Sequence, residues 1–431
     1  MNNIPTSKIG RGAVVGKAAV KIGLKKSKRA IFGGDKKQNN EEIADIIFEA
    51  LSHLKGVSVK IAQHIALGMP FLPDEIVDKI SKSFNQITPI NRALIRKIIK
   101  TELGSYPEEI FEEFELEPFA AASLGQVHKA KYKGKEYAIK VQYPGIGKSI
   151  NSDMTMLKGV LKLFAKGDRI EHVVKEIEDR LKEELDYEKE AKNCRYFQEI
   201  NRNPNIVIPT VNSEISSQKI LATEFLSGVG LDEYIKTEPS QESIDFYADT
   251  ILQNYYNTLH SGNHTIHADP NPGNFIFLDN GKLAIIDFGC VKSVSKEFLM
   301  HYSKLHQMLF EKYSDDKIIE LYKSLKMIQE PTQEKALEYY KEVIKPLDRV
   351  YIEPFLEDSY NFKDSNFSKK GYDIIQEVQK KQFTTIGNTN EDILFLDRSL
   401  LGYYGIFEKM GATVNSKAIK EIILNYIKSI K

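Results

Sequence analysis

Cysteine is scarce in this sequence: Cys194 and Cys290 are the only two in 431 residues, far apart and outside any C-x-x-C pair. Their scarcity excludes a disulfide framework and a thiolate metal centre, and it fits a reducing compartment. An excess of either charge is lacking as well, since 60 basic residues balance 60 acidic ones. A neutral chain offers no global field to draw in nucleic acid, so no nucleic-acid partner is expected without a local basic patch. No apolar run reaches the roughly eighteen residues of a membrane-spanning helix. The expectation is a chain that is soluble or sits on a surface. Internal repeats and long low-complexity tracts are missing too. With 42% hydrophobic and 28% charged residues the composition is that of ordinary globular proteins. A chain of this length suits two or three packed units.

What charge there is lies unevenly. Residues 1–30 carry eight basic side chains (Lys8, Arg11, Lys17, Lys21, Lys25, Lys26, Lys28, Arg29) and no acidic one. Apolar residues such as Ile9, Val14, Val20 and Leu24 are interleaved with them. Lys17 and Lys21 break the uninterrupted apolar core that a secretory signal needs. Two readings stay open. One is a basic amphipathic arm on an anionic membrane surface, where each nearby Lys or Arg adds about 1 kcal/mol; the other is a solvated terminus.

Beyond a loop at Gly33–Asn40, Ile43, Ile47, Leu51, Leu54, Ile61 and Ile65 recur at spacings of one helix face, and Pro70 and Pro73 end the run. A second helix is expected over Asn91–Leu103. The texture then changes to strands: Gln126–Lys131 and Glu136–Val141 around Lys133-Gly134-Lys135, then Ile206–Ile208 and Lys219–Glu224. Residues 171–200 read as helical, with Val173, Val174, Ile177 and Leu181 on one side. Beyond Gly228 the chain reads as mainly helical, except for a hairpin of Asn274–Leu278 and Lys282–Ile286 closed by Asn280-Gly281.

The strongest chemical signal is His267-Ala-Asp269-Pro-Asn-Pro-Gly-Asn274 followed by Asp287-Phe288-Gly289. It keeps the positions of H-R-D-L-x-x-x-N and D-F-G in protein kinases, with Ala268 in place of Arg. Phosphoryl transfer needs a carboxylate beside the acceptor, and a divalent cation held by an Asn oxygen and another carboxylate. In that template Asp269 is the base or orienting group. Asn274 and Asp287 are the Mg²⁺ ligands, offering the hard oxygens that the ion prefers. Asp, Asn, Pro and Gly are also ordinary turn formers, but two motifs in the right order around a hairpin speak against that plainer reading.

Upstream, Tyr137-Ala-Ile-Lys140 matches V-A-I-K at three of four positions on an expected strand, which makes Lys140 the residue reaching the α- and β-phosphates of ATP. Ala120-Ala121-Ala122-Ser123-Leu-Gly125-Gln-Val127 fits the nucleotide loop G-x-G-x-x-G-x-V with Ala in the first two glycine places. Alanine resists positive φ and its methyl holds backbone away from phosphates, so this loop should hold nucleotide differently. The plainer reading is that the alanines merely start a strand or helix. A hinge near 222–228 adds Glu224 and Leu226 as expected nucleotide contacts.

Together with Lys60-Ile-Ala62-Gln63 and Glu184-Leu-Asp186-Tyr-Glu-Lys-Glu190, these motifs resemble the UbiB (AarF-domain) family of atypical kinases over nearly the whole chain. The stretch from Val141 to Asp153 is similar to its coenzyme Q-associated branch. The resemblance implies an α+β, protein-kinase-like two-lobed fold: a small strand-containing N-lobe, a larger helical C-lobe and a helical N-terminal extension. The expected division is a basic arm at 1–34, the extension at 35–115, the N-lobe at 116–226 and the C-lobe at 227–431. It further implies ATP and Mg²⁺ as cofactors and a Glu190–Lys140 pair. Lys60 and Gln63 would fold over the pocket as regulatory residues, with Lys60 contacting Glu184 and Asp186. Ala62 departs from the glycine usual in the family. A plainer reading of the acidic segment is an exposed helix with solvated charges, on which 186 and 190 share a face while 184 and 186 do not.

Other candidates carry less. His260, His264 and His267 suggest a zinc trio, but His267 belongs to the kinase motif and no cysteine is near. Cys290 reads as a small packed residue. After Gly289 the chain reads as entering a helix without an A-P-E ending, which argues against ordinary protein phosphorylation. The expected function is an ATPase or a small-molecule or lipid kinase; the family resemblance implies support of isoprenoid quinone biosynthesis or lipid handling. Expected partners are ATP, an anionic membrane surface and a lipid or quinone-precursor ligand, with a homodimer left open. The expected location is cytoplasmic, peripheral on the inner face of a membrane. The rivals are a protein kinase and a nucleotide-sensing scaffold. The joint presence of Asp269, Asn274, Asp287 and Lys140 disfavours the scaffold, since a pure binder needs no acceptor-side Asp.

Overall fold

The computed structural model describes residues 20–21, 91–122, 124–162, 168–330, 332–380 and 390–430. The basic arm apart from Val20 and Lys21, the expected helical run from Ile43 to Ile65, and Lys60, Ala62, Gln63 and Ser123 lie outside the described residues. The chain forms two compact units. One comprises Met1–Lys192 with Thr210–Phe225, the other Asn193–Pro209 with Leu226–Lys431. The expected division after residue 226 differs from this at Leu226 and at 193–209, whose strand Ile206–Val207 pairs in parallel with Leu283–Ile285.

The first unit is built on an antiparallel sheet in the order β1 (Glu113–Phe114), β3 (Gly125–Tyr132), β4 (Lys135–Gln142), β6 (Ile220–Glu224), with β2 (Ala120–Ala122) also paired to β3. Two residues, Lys133 and Gly134, close the β3–β4 hairpin. Their φ values of 49° and 75° are the left-handed pair that a tight hairpin turn demands. Helix α1 (Arg92–Leu103) starts at Asn91, whose side chain accepts from Ala93 N–H, and ends at Gly104 with φ 89°. One turn apart on α1, Ile95 and Ile99 are fully buried against Ile139, Val141, Ile220 and Ala222. Burying each such side chain contributes about 1.5–3 kcal/mol.

The helical stretch expected at 171–200 is two helices after α2 (Ile146–Leu161): α3 (Asp168–Glu184) and α4 (Tyr187–Ile200). The break at Leu185–Asp186 has a local cause. Asp186 Oδ1 accepts from the backbone N–H of Lys189 at 2.9 Å, an N-cap that starts a new helix. Val174, Ile177 and Leu181 of α3 are buried.

The second unit holds more strand than expected beyond Gly228. A four-stranded sheet runs in the order β5 (Ile206–Val207), β10 (Leu283–Ile285), β9 (Phe275–Leu278), β7 (Gly228–Gly230). A separate pair joins β8 (Thr265–His267) to β11 (Val291–Ser293). The segment after Gly289 therefore enters a strand before it reaches helix Lys296–Phe310, correcting the expected direct entry into a helix. The pairing with β8 satisfies backbone groups that a helix would have satisfied internally. Apart from one further short pair, Tyr360–Asn361 with Thr413–Val414, the regular structure of the rest is helical, around a tyrosine-rich core that includes Tyr256, Tyr302 and Tyr404. Helix α5 (Gln241–Leu259) and helix α6 (Glu391–Met410) meet where Tyr255 donates to the Leu396 carbonyl at 3.2 Å. Among the described residues no helix is long and apolar enough to cross a membrane.

Candidate functional site

In the first unit, register decides which residues share a face. Ala120 stands opposite Val127, Val127 opposite Lys140, and Lys140 opposite Leu221, a single row across β2, β3, β4 and β6. Successive side chains alternate between faces, so Ala122, Gly125 and Gln142 lie on the same face one step along, and Ala121 lies on the other. The face opposite Lys140 carries the Ile139 and Ala222 core under α1. The Lys140 face packs at Leu221 against Tyr187 and Ala191 of α4.

Lys140 Nζ donates to both carboxylate oxygens of Glu190, at 2.8 and 2.9 Å. The two side chains are 17% and 3% exposed, so the pair is desolvated. Glu190 is held in turn: its backbone N–H donates to the Asp186 carbonyl at 3.0 Å in the first turn of α4. Gln142 donates to the carbonyl of Leu185 at 2.9 Å, tying β4 to the same α3–α4 break. Glu184 is the last residue of α3 and Asp186 caps α4, so the three acidic residues do not stand on one continuous helix.

The alanine run is extended backbone paired to β3, and none of its residues has positive φ. Alanine therefore costs nothing there conformationally. Gly125 is different. A Cβ on it would collide with the Val141 carbonyl and come within 2.9 Å of Tyr187 Oη, so close approach of backbones requires glycine. Val127 is half-buried beside Lys140. At the end of β6, Glu224 turns its carboxylate to Thr210, whose Oγ1 donates at 3.0 Å, while Leu226 belongs to the second unit.

In the second unit the kinase-like motif is a knot of backbone and side-chain hydrogen bonds. Asn271 caps its own turn, its Oδ1 accepting from Gly273 N–H at 3.0 Å. Asn274 Nδ2 donates to the Asp269 carbonyl at 3.1 Å, which commits the nitrogen end of that amide to the loop and leaves Oδ1 as the acceptor end. The Asn274 carbonyl accepts from Ile286 N–H at 3.1 Å, drawing Asp287 alongside. Asp287 Oδ1 accepts from Gly289 N–H at 2.9 Å. His267 Nε2 donates to the Asp287 carbonyl and so ties the first motif to the second. Burial pushes the His267 pKa down, against the opposing pull of Asp269 and Asp287. Phe288 is buried against Phe197, with ring centres 5.0 Å apart, and its carbonyl accepts from Asn193.

The structure thus brings Lys140 to Glu190, and Asp269, Asn274 and Asp287 to one another. An Asn oxygen and an Asp carboxylate are the donor types that suit Mg²⁺. His260 is committed elsewhere, to the Tyr256 carbonyl and Ser303 Oγ, and burial lowers its pKa to about 4. Sequence reasoning missed Asn193, Gly402 and Tyr403, all in contact with these motifs. A glycine and a tyrosine within the amphipathic run 391–410 carry no local signal of such a role.

The family model of the ABC1 atypical kinase-like domain matches residues 82–321. The probable serine/threonine-protein kinase abkA of Dictyostelium discoideum is 29% identical over 100% of this chain and 80% of its own length. The mitochondrial atypical kinase coq-8 of Caenorhabditis elegans is 27% identical over 99% of this chain, which spans only 58% of that protein. Among solved structures, the Mycobacterium tuberculosis protein Rv3197 in complex with erythromycin aligns with a TM-score of 0.63 at 26% identity, covering 88% of this chain and 95% of that one.

Proposed function

Because the chain belongs to the ABC1 atypical kinase-like family, we propose that it binds Mg·ATP and either hydrolyses it or transfers the γ-phosphoryl group to a small-molecule or lipid acceptor. The wider role we propose is support of isoprenoid quinone biosynthesis or lipid handling at a membrane face. The observation that carries the catalytic reading is the bonding of Asp269, Asn274 and Asp287 into one constellation through the Asp269, Asn274 and Asp287 carbonyls. In this reading Asp269 orients the acceptor or takes its proton. Asn274 and Asp287 hold Mg²⁺, which supplies charge neutralisation for the phosphates when bound. Lys140, oriented by Glu190, contacts the phosphates, and β2 with Gly125 and Val127 lies over the nucleotide. Glu184 and Asp186, with Lys60 and Gln63, restrain access to the site. The basic arm holds the protein reversibly to anionic lipid.

ATP turnover by purified protein, with and without Mg²⁺, anionic liposomes and a phenolic quinone-precursor mimic, tests this. Asp269→Asn should keep Mg·ATP binding and lose most turnover, whereas Asp287→Asn should lose metal-dependent binding. Full turnover in Asp269→Asn, or equal stabilisation of wild type and Asp287→Asn by Mg·ATP, overturns the assignment.

A further inference from the structure

The loop bearing Asp269 is held by a helix distant in sequence. On α6, Tyr403 Oη donates to the His267 carbonyl at 2.9 Å and lies 3.2 Å from Nδ1 of the same residue. An imidazole nitrogen facing a carbonyl must carry the proton, so Nε2–H points at the Asp287 carbonyl, while the single Tyr403 hydroxyl proton goes to the His267 carbonyl. The neighbouring residue makes the second contact. A Cβ on Gly402 would overlap Pro270 Cγ and come within 2.9 Å of Pro270 Cβ. The two contacts bracket Asp269, one two residues before it and one immediately after.

The same helix also reaches the chain beyond Gly289. Asp392, in its first turn, pairs with Lys292 at 2.6 Å, and Lys292 Nζ lies 5.5 Å from the centre of the Phe395 ring. Lys292 stands on β11, opposite Ile266 on β8, the strand that leads into Asp269. Ala268 occupies the place where protein kinases carry Arg. It offers the loop no ionic anchor.

We propose that α6 is a positioning element of the reaction. Tyr403 and Gly402 fix the backbone on either side of Asp269 and, through His267, the Asp287 carbonyl, while Asp392 clamps the strand that follows. The inference rests on the reading of Asp269 and Asp287 given above. Removing the Tyr403 hydroxyl takes this donor from the buried His267 carbonyl and with it the anchor of the backbone two residues before Asp269. A displacement of about 1 Å at the loop costs up to a hundredfold in rate. Nucleotide contacts on the first unit are untouched.

The experiment is steady-state ATP turnover and Mg·ATP titration with the full chain. Tyr403→Phe is expected to bind Mg·ATP within about twofold of wild type, with kcat lowered tenfold to a hundredfold and KM little changed. Asp392→Asn disturbs a part-exposed ion pair and retains the fold. Its kcat should fall about two- to threefold, with no further fall when combined with Lys292→Gln. This second series decides the matter if Tyr403→Phe does not fold. A wild type that turns nothing over overturns the functional reading itself. An active wild type whose kcat survives in folded Tyr403→Phe, or in Asp392→Asn should the first not fold, overturns the role of α6 alone. A raised KM at unchanged kcat does the same.

Discussion

Replacing Lys140 by Met strips the partner from a carboxylate that is 3% exposed. Glu190 is fixed by its place in the first turn of α4 and cannot swing out to water without unwinding that turn. Around it lie Tyr187, whose ring centre is 5.1 Å from Lys140 Nζ, and the apolar Ala191 and Leu221. An uncompensated buried charge in such a setting costs about 3–5 kcal/mol. For a unit of this size that is a fall in melting temperature on the order of 10 °C. The double variant Lys140→Met/Glu190→Met removes both charges and fills the space with apolar atoms, so it should recover to within about 1–2 kcal/mol of wild type. Nucleotide binding should be lost in both. The assay is thermal and urea unfolding followed by circular dichroism, alongside Mg·ATP titration. A single variant that costs less than about 1 kcal/mol refutes the desolvated-pair argument. So does a double variant as unstable as the single.

Burial pushes Asp348 up to about 8 from 3.8, with the Tyr322 hydroxyl, Asp397 and Lys345 as the groups that bear on it. The folded carboxyl then keeps its proton where the unfolded one has lost it. Its stability contribution is full below about pH 4 and falls away as pH rises toward about 8. Asp348→Asn should flatten the melting temperature across that window, and an unchanged slope would exclude Asp348 as its source. Gly125→Ala forces a methyl into the Val141 carbonyl and should lower stability by about 1–3 kcal/mol; a variant that melts like wild type would mean β3 can draw back from β4 and Tyr187 at no cost. A chain starting near Asp35 should keep Mg·ATP binding but lose salt-sensitive cosedimentation with anionic liposomes, and equal pelleting of both forms would remove the arm as anchor.

What could be read in advance follows the distance over which each feature is determined. The β3–β4 hairpin is announced locally by alternating residues and by Lys133-Gly134, and the Asp287 motif by its own spelling. The cap at Asp186 was equally local and could have been read from an Asp three residues before Lys189. The strand at Val291–Ser293 could not, because it exists through its pairing with Thr265–His267, and nothing within the three residues distinguishes them from a helix entry. The grip of Tyr403 on His267 spans a still longer separation, and Gly402 reveals itself only where the Pro270 ring lies against it. Contacts closed by the fold leave no periodicity behind.

The tight turn at Lys133-Gly134 carries a consequence for how this gene can change. Lys140 faces α4 rather than α1 because an odd number of steps separates it from the turn, and parity is all that tells the two faces apart. One residue gained or lost in the turn, far from any phosphate, would rotate the lysine into the Ile95–Ile99 core and present Ile139 in its place. Evolution can therefore vary the tip of that hairpin among residues that accept left-handed backbone, yet its length is constrained as tightly as the identity of the lysine. Insertions tolerated there should come in pairs, or arrive with a bulge that restores the count.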